Sequence, residues 1–132
     1  MFLLTAIFNA ACLDDVLTDL YNSNIEGVTI SHVNGKGDRG YILESGKTRL
    51  YKNVRIDIVV SSIEFKELAK EAIRSNIRDF HTGSGKMWVT PVLEVERIRT
   101  GETDKAALAH SELIKTKNSN DNSYSSLNGS AS

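Results

Sequence analysis

Lys86 closes the run Thr82-Gly83-Ser84-Gly85-Lys86. Glycines let successive backbone N–H groups turn inward around an anion, and the lysine ammonium adds a point charge. The run is not a Walker A loop. Met87 stands where Ser or Thr is needed, and no glycine precedes the run at the required spacing. A plain turn between a helix and a strand fits the same residues. Further on, Glu96-Arg97-Ile98-Arg99-Thr100-Gly101-Glu102 holds two arginines. In an extended segment they would share a side, roughly 6.6 Å apart from strand rise. That spacing matches adjacent phosphates, whose oxygens guanidinium forks bind bidentately. Two surface arginines paired with Glu94, Glu96 or Glu102 are the alternative. A third stretch, Gly35 to Lys52, sets Lys36, Arg39, Lys47, Arg49 and Lys52 against Asp38 and Glu44, with glycines at Gly35, Gly37, Gly40 and Gly46. A hairpin needs only about 2–5 loop residues, so this length implies a functional loop or a solvated one.

The elements that must position these stretches show in the apolar periods. Phe2–Phe8 is an apolar run of strand length, broken only by Thr5. Leu13, Val16, Leu17 and Leu20 form one helical stripe, with Asp14 and Asp15 at its positive end and Asn22-Ser23-Asn24 as its stop. Ile25 to Val33 reads as a second strand, with Gly27 near its start. Val54-Arg55-Ile56-Asp57-Ile58 alternates with period two and runs into Val59-Val60 as a third. A Ser61-x-x-Glu64 capping box opens a second helix carrying Phe65, Leu68, Ala69, Ala72 and Ile73. Met87 to Val92 is a fourth strand, whose Pro91 demands an edge or terminal position. The order β-α-β-β-α-β predicts an α+β, ferredoxin-like sandwich with two helices on one face of a four-stranded antiparallel sheet. Nothing supplies a second helical layer, so the other face argues for oligomerisation.

Composition narrows the function classes. The chain has 132 residues, 16 Lys+Arg against 17 Asp+Glu, and a net charge of −1, which gives no global attraction to nucleic acid or anionic lipid. No apolar stretch spans a bilayer, and Phe2–Phe8 lacks the positive flank of a secretory signal. The single cysteine, Cys12, excludes an intrachain disulfide framework and suits a reducing, cytoplasmic setting. At a helix start it is either a thiol of lowered pKa or a small buried hydrophobe. His32, His81 and His110 show no metal-ligand spacing with it. His32 falls on the apolar face of the second strand as a core or interface residue, and Trp88 reads as core or interface. Residues 111–132, with seven Ser and four Asn, cannot bury enough apolar surface to offset ordering and form a flexible tail after a 1–110 domain.

Taken together, the stretches resemble the PII signal-transduction family over roughly residues 1–108. Leu4-Thr5-Ala6-Ile7 with Leu13-Asp14-Asp15-Val16 is similar to the family's first strand and helix. Ile25-Glu26-Gly27-Val28-Thr29-Ile30 and Val33-Asn34-Gly35-Lys36-Gly37 resemble its second strand and the entry to its long T-loop, here about 35–52. Val54–Val60 resembles its third strand. Thr82–Lys86 resembles a shortened B-loop, about 81–86, and Arg97–Glu102 the C-loop, about 96–103. The resemblance implies a homotrimer whose three sheets face one another, with an adenine nucleotide (ADP, AMP or ATP) in each cleft between subunits. It implies phosphate contacts from Lys86, Arg97 and Arg99. Amides of Gly83, Ser84, Gly85 and Gly37 would line the phosphates, with Gly35, Asp38 and Arg39 at the loop entry. Ile7, Thr29 and Val59 would flank base and ribose. Members signal to transporters, enzymes or regulators through the T-loop and are not enzymes; no cofactor is expected, and no resident metal, given the lack of ligand spacing among the histidines and Cys12.

Departures from the pattern refine the expectation. Relatives that sense 2-oxoglutarate carry Arg-Gln-Lys-Gly after the Gly-x-Gly, whereas this chain has Asp38-Arg39-Gly40. Losing the amide removes an oxygen ligand for magnesium. The lysine that pairs with the keto acid falls at Asn53, beside Lys52. These changes argue against a 2-oxoglutarate response. Neither Tyr41 nor Tyr51 sits in the family's uridylylation context. A shortened B-loop offers fewer amides at the γ-phosphate and favours ADP or AMP over ATP. Resemblance to divergent relatives that respond to bicarbonate with ADP or AMP implies that Arg39 and the basic loop would receive bicarbonate or another small anion, in carbon or nitrogen metabolism. The alternatives are an ordinary nitrogen regulator responding to ATP and 2-oxoglutarate, or a phosphate-ester enzyme on the same fold. An acylphosphatase-type enzyme would need an arginine after the first strand, where Asn9-Ala10-Ala11-Cys12 stands. RNA binding would want aromatics on the central strands; a metal-tolerance protein of similar fold would leave the arginine pair unexplained.

Overall fold

A computed structural model of the chain describes residues 1–36, 45–46, 50–77 and 85–108, the Tyr51 side chain excepted. The tail, Tyr41, His81, His110 and the predicted site residues Gly37, Asp38, Arg39, Gly83 and Ser84 lie outside the described residues. Six main elements follow in order: β1 (Phe2–Asn9), α1 (Leu13–Asn22), β2 (Thr29–Gly35), β3 (Tyr51–Val60), α2 (Ile63–Arg74) and β4 (Lys86–Pro91). Short 3₁₀ turns stand at Ala10–Cys12 and Asp104–Ala107. The strands form one antiparallel sheet in the order β2-β3-β1-β4, the ferredoxin-like arrangement.

Register decides which side chains meet the helices. Leu4, Ala6 and Phe8 of β1 lie on the same face as Val54, Ile56, Ile58 and Val60 of β3. They pack with Val16 and Leu20 of α1 and Phe65, Ala69, Ala72 and Ile73 of α2 into the core. Cys12 is fully buried beside them at the N-cap of α1, making no side-chain cap hydrogen bond. The helical stripes follow the 3.6 period with one exception, Leu68, which is 46% exposed. Asn76 ties the ends of both helices: its amide donates to Asp19 Oδ2 and to the Ala72 carbonyl, each at 2.7 Å.

Two boundaries differ from the periodicity. β2 begins at Thr29, because the residues before it end α1. Asn24 takes the left-handed conformation (φ 67°), its N–H reaches the Tyr21 carbonyl, and the Ile25 N–H reaches the Leu20 carbonyl at 2.9 Å. This is a Schellman stop, and Ile25 is its buried apolar residue. α2 begins one residue later than the capping box implies. Ser62, not Ser61, is the N-cap, accepting from the Phe65 N–H at 3.2 Å. Ser61 Oγ is buried and has no partner among the described residues. Pro91 ends β4, an edge strand that needs no donor from it on the open side. His32 is exposed on edge strand β2 rather than in the core.

Candidate functional site

The sheet face turned away from α1 and α2 carries four of the predicted residues. Alternation puts Ile7, Thr29, Val59 and Lys86 on that face: Lys86 pairs with Ile7 on β1, and Ile7 in turn with Arg55 on β3. No described helix covers it. Gly85 and Lys86 are locked to this edge by a close approach. Gly85 has φ +78°, and a Cβ there would lie 2.6 Å from the Ile7 carbonyl oxygen, so only glycine fits. Gly85 therefore lets Lys86 pair directly opposite Ile7 on β1. No ion pair engages Lys86 among the described residues.

At the entry to the long loop, Gly35 ends β2 opposite Tyr51. A Cβ on Gly35 would meet Asn53 Nδ2 at 2.8 Å, so the Asn53 carboxamide lies over the bare backbone there. Asn53 thus places a neutral amide against the base of the loop.

The 96–103 segment is a closed turn rather than an extended chain. An antiparallel bridge joins Glu96 to Thr103, the Arg97 N–H donates to the Glu102 carbonyl at 2.8 Å, and the Gly101 N–H to the Arg97 carbonyl at 2.8 Å. Residues 98–100 form its tip, so strand spacing does not relate Arg97 to Arg99. The arginines also differ in company. Arg97 Nε lies 3.6 Å from Glu102 Oε1, and its Nη2 donates to the Ala107 carbonyl at 3.3 Å. Arg99 has no acidic partner among the described residues. Ile98 beside it and Leu93 upstream are each 96% exposed.

Sequence reasoning missed a polar network across the same sheet face. Thr5 Oγ1 donates to Asp57 Oδ1 at 2.7 Å, Arg55 Nε to Asp57 Oδ2 at 3.1 Å, and the Arg55 guanidinium lies 6.0 Å from the Trp88 ring centre. Burial would raise the Asp57 carboxyl, but hydrogen bonds from Arg55 and Thr5 and the Arg55 charge outweigh it and hold it below the ordinary range. The signal was present in Val54-Arg55-Ile56-Asp57-Ile58: period two puts both charges on the face opposite the aliphatics. Trp88, 39% exposed, belongs to this face and not to the core.

One protomer offers a cavity of about 280 Å³ near the start of β4, between Ile7, Phe8, Ile73 and Met87, with Arg74 and Lys86 in its lining. Small-molecule sites usually run about 300–1,000 Å³. Arg74 is neutralised by Glu71 at 3.2 Å, which leaves Lys86 as the cavity's unpaired cation among the described residues. No group of His, Cys, Asp and Glu among the described residues could hold a metal ion. No described helix is long and apolar enough to cross a membrane.

A family model described as nitrogen regulatory protein P-II matches residues 1–102. The chain is similar to nitrogen regulatory protein P-II 1 of Methanothermobacter thermautotrophicus, 40% identical over 110 residues that cover 80% of this chain and 95% of the relative. It is 33% identical to the nitrogen regulatory protein P-II of Rhizobium etli, over 82% of this chain and all of the relative. The Azospirillum brasilense protein of the same name is 36% identical over 74% of this chain and 90% of its own length.

Proposed function

The chain belongs to the nitrogen regulatory protein P-II family, and on that premise we propose that it is a homotrimeric, cytoplasmic sensor of adenine nucleotides. The nucleotide lies in clefts completed between copies, and loop 35–52 reports occupancy to a target protein. One observation carries this reading: Ile7, Thr29, Val59 and Lys86 share a sheet face that no described helix covers, with no ion pair to the ammonium among the described residues. A cavity of about 280 Å³ in one protomer is small for a whole nucleotide, so the site needs surface beyond that cavity. Arg99, without an acidic partner among the described residues, would complete the phosphate contacts with Arg97, from the same or a neighbouring protomer. A binding module of this kind needs no catalytic group. ADP or AMP is favoured over ATP by the shortened B-loop, with bicarbonate or another small anion as a candidate co-effector near Arg39.

Calorimetry with ATP, ADP, AMP and cyclic AMP tests the reading. At least one should bind in the micromolar range, and Arg97→Ala with Arg99→Ala should weaken it by about tenfold or more, since charged hydrogen bonds contribute roughly 1.5–3 kcal/mol each. No adenine-nucleotide binding by the intact oligomer would overturn it. The Asn53 carboxamide over Gly35 supports a second element: 2-oxoglutarate with magnesium and ATP should add no synergistic heat.

A further inference from the structure

We propose that Glu102 is a built-in competitor for Arg97, a carboxylate that sets how tightly this protein holds phosphate-bearing ligands. The inference rests on the nucleotide reading above and concerns the strength of that same site. Glu102 is positioned to compete. Its Oε1 lies 3.6 Å from Arg97 Nε, an ion pair longer than a good hydrogen bond, and Thr100 Oγ1 donates to the same oxygen at 3.1 Å. The Glu102 N–H donates back to Thr100 Oγ1 at 3.2 Å, so hydroxyl and carboxylate hold each other in place. Arg99, two residues from Arg97 at the turn's tip, has no such partner among the described residues.

The carboxylate is not needed to shape the turn. Backbone hydrogen bonds of 2.8 Å from the Arg97 N–H to the Glu102 carbonyl and from the Gly101 N–H to the Arg97 carbonyl, with the Glu96–Thr103 bridge, already close it. The charge of Glu102 therefore has its consequence at the Arg97 guanidinium. An arriving phosphate must draw Arg97 away from Glu102, or bind it with an anion close by. Either way, part of the attraction between guanidinium and phosphate is spent against Glu102. The side chains of Arg97 and Glu102 are 34% and 48% exposed, so solvent screens the pair and the effect is modest.

Glu102→Gln separates charge from shape, because the Gln carbonyl oxygen still accepts from Thr100. Titration of the full-length protein with ADP and ATP should show Glu102→Gln binding about two- to fivefold tighter than wild type, the size of one exposed ion pair. Adenosine, which carries no phosphate, should bind both proteins equally. Glu102→Ala should tighten ADP and ATP binding in the same direction, since the backbone bonds hold the turn without it. Glu102→Gln and Glu102→Ala binding as wild type, or weaker, would overturn the competitor role while leaving the nucleotide reading intact. Tightening that extends equally to adenosine would also overturn it. Absence of nucleotide binding by wild type would overturn both.

Discussion

Lys86 reaches its place because Gly85 before it has no side chain. At φ +78° an L-residue is strained, and a Cβ would run into the Ile7 carbonyl oxygen, a backbone atom that cannot swing aside. Gly85→Ala should therefore cost about 1–3 kcal/mol of stability, read as a lowered denaturant midpoint, and should weaken nucleotide binding by displacing Lys86. An unchanged midpoint would show that β1 and β4 part there without cost. Asp57 gives a second prediction at the same scale. Its folded-state carboxyl lies below the ordinary value of 3.8, so its ionised form stabilises the fold. That contribution is present in full above the unfolded-state value and is lost as pH falls through the lower folded one. Asp57→Asn should flatten the fall in stability below about pH 4, measured by urea unfolding across pH 2–6. An Asn variant with the same acid limb as wild type would place the acid sensitivity elsewhere.

At the scale of elements, the sequence was readable wherever one period ran without interruption. β1, α1, β3 and β4 stand within a few residues of their apolar patterns, since a half-buried strand or helix must repeat its apolar positions in phase with the core. The boundaries failed where a local bond overrode the pattern. Ile25 looks like the first residue of a β-branched strand, but it is buried as the apolar residue of the α1 stop. Ser61 and Ser62 are adjacent hydroxyls, and only the phase of Phe65, Ala69, Ala72 and Ile73 against the sheet selects Ser62 as the cap. The closed 96–103 turn was hidden for a related reason: alternation of Arg97 and Arg99 suggests extension, while Gly101 at φ +77° and the Arg97–Glu102 backbone pair fold the segment back. The α1–α2 tie through Asn76 left no periodic trace at all. Asn76→Ala removes two 2.7 Å bonds, one to a carboxylate, and should lower stability by about 1–2 kcal/mol without changing nucleotide affinity. A variant as stable as wild type would show that solvent replaces both bonds at no cost.

For the whole molecule, the two faces of the sheet have opposite fates. One is sealed by α1 and α2. The other presents Leu3, Val59 and Ile7 around the Thr5–Asp57–Arg55 network, with Trp88 at its border. Asp57 and Arg55 satisfy each other, so this face can be covered without leaving that charged pair uncompensated. Leu93, just after β4, and Ile98, in the 96–103 turn, are almost wholly exposed apolar residues outside the sheet. If three copies bury these faces against one another, the sedimentation mass should be three times the 14.6 kDa chain and hold across micromolar dilutions. Leu3 is half-buried on that face, away from the helices and outside the predicted nucleotide contacts. Leu3→Glu would bring like charges together at the threefold contact and should yield monomers with unchanged helical circular dichroism. Those monomers should lose nucleotide binding if each proposed cleft draws on two copies. Monomers that still bind with wild-type affinity would mean that one protomer holds the complete site. Wild type sedimenting as a single chain would leave the open face, and the clefts it is proposed to form, without their partner.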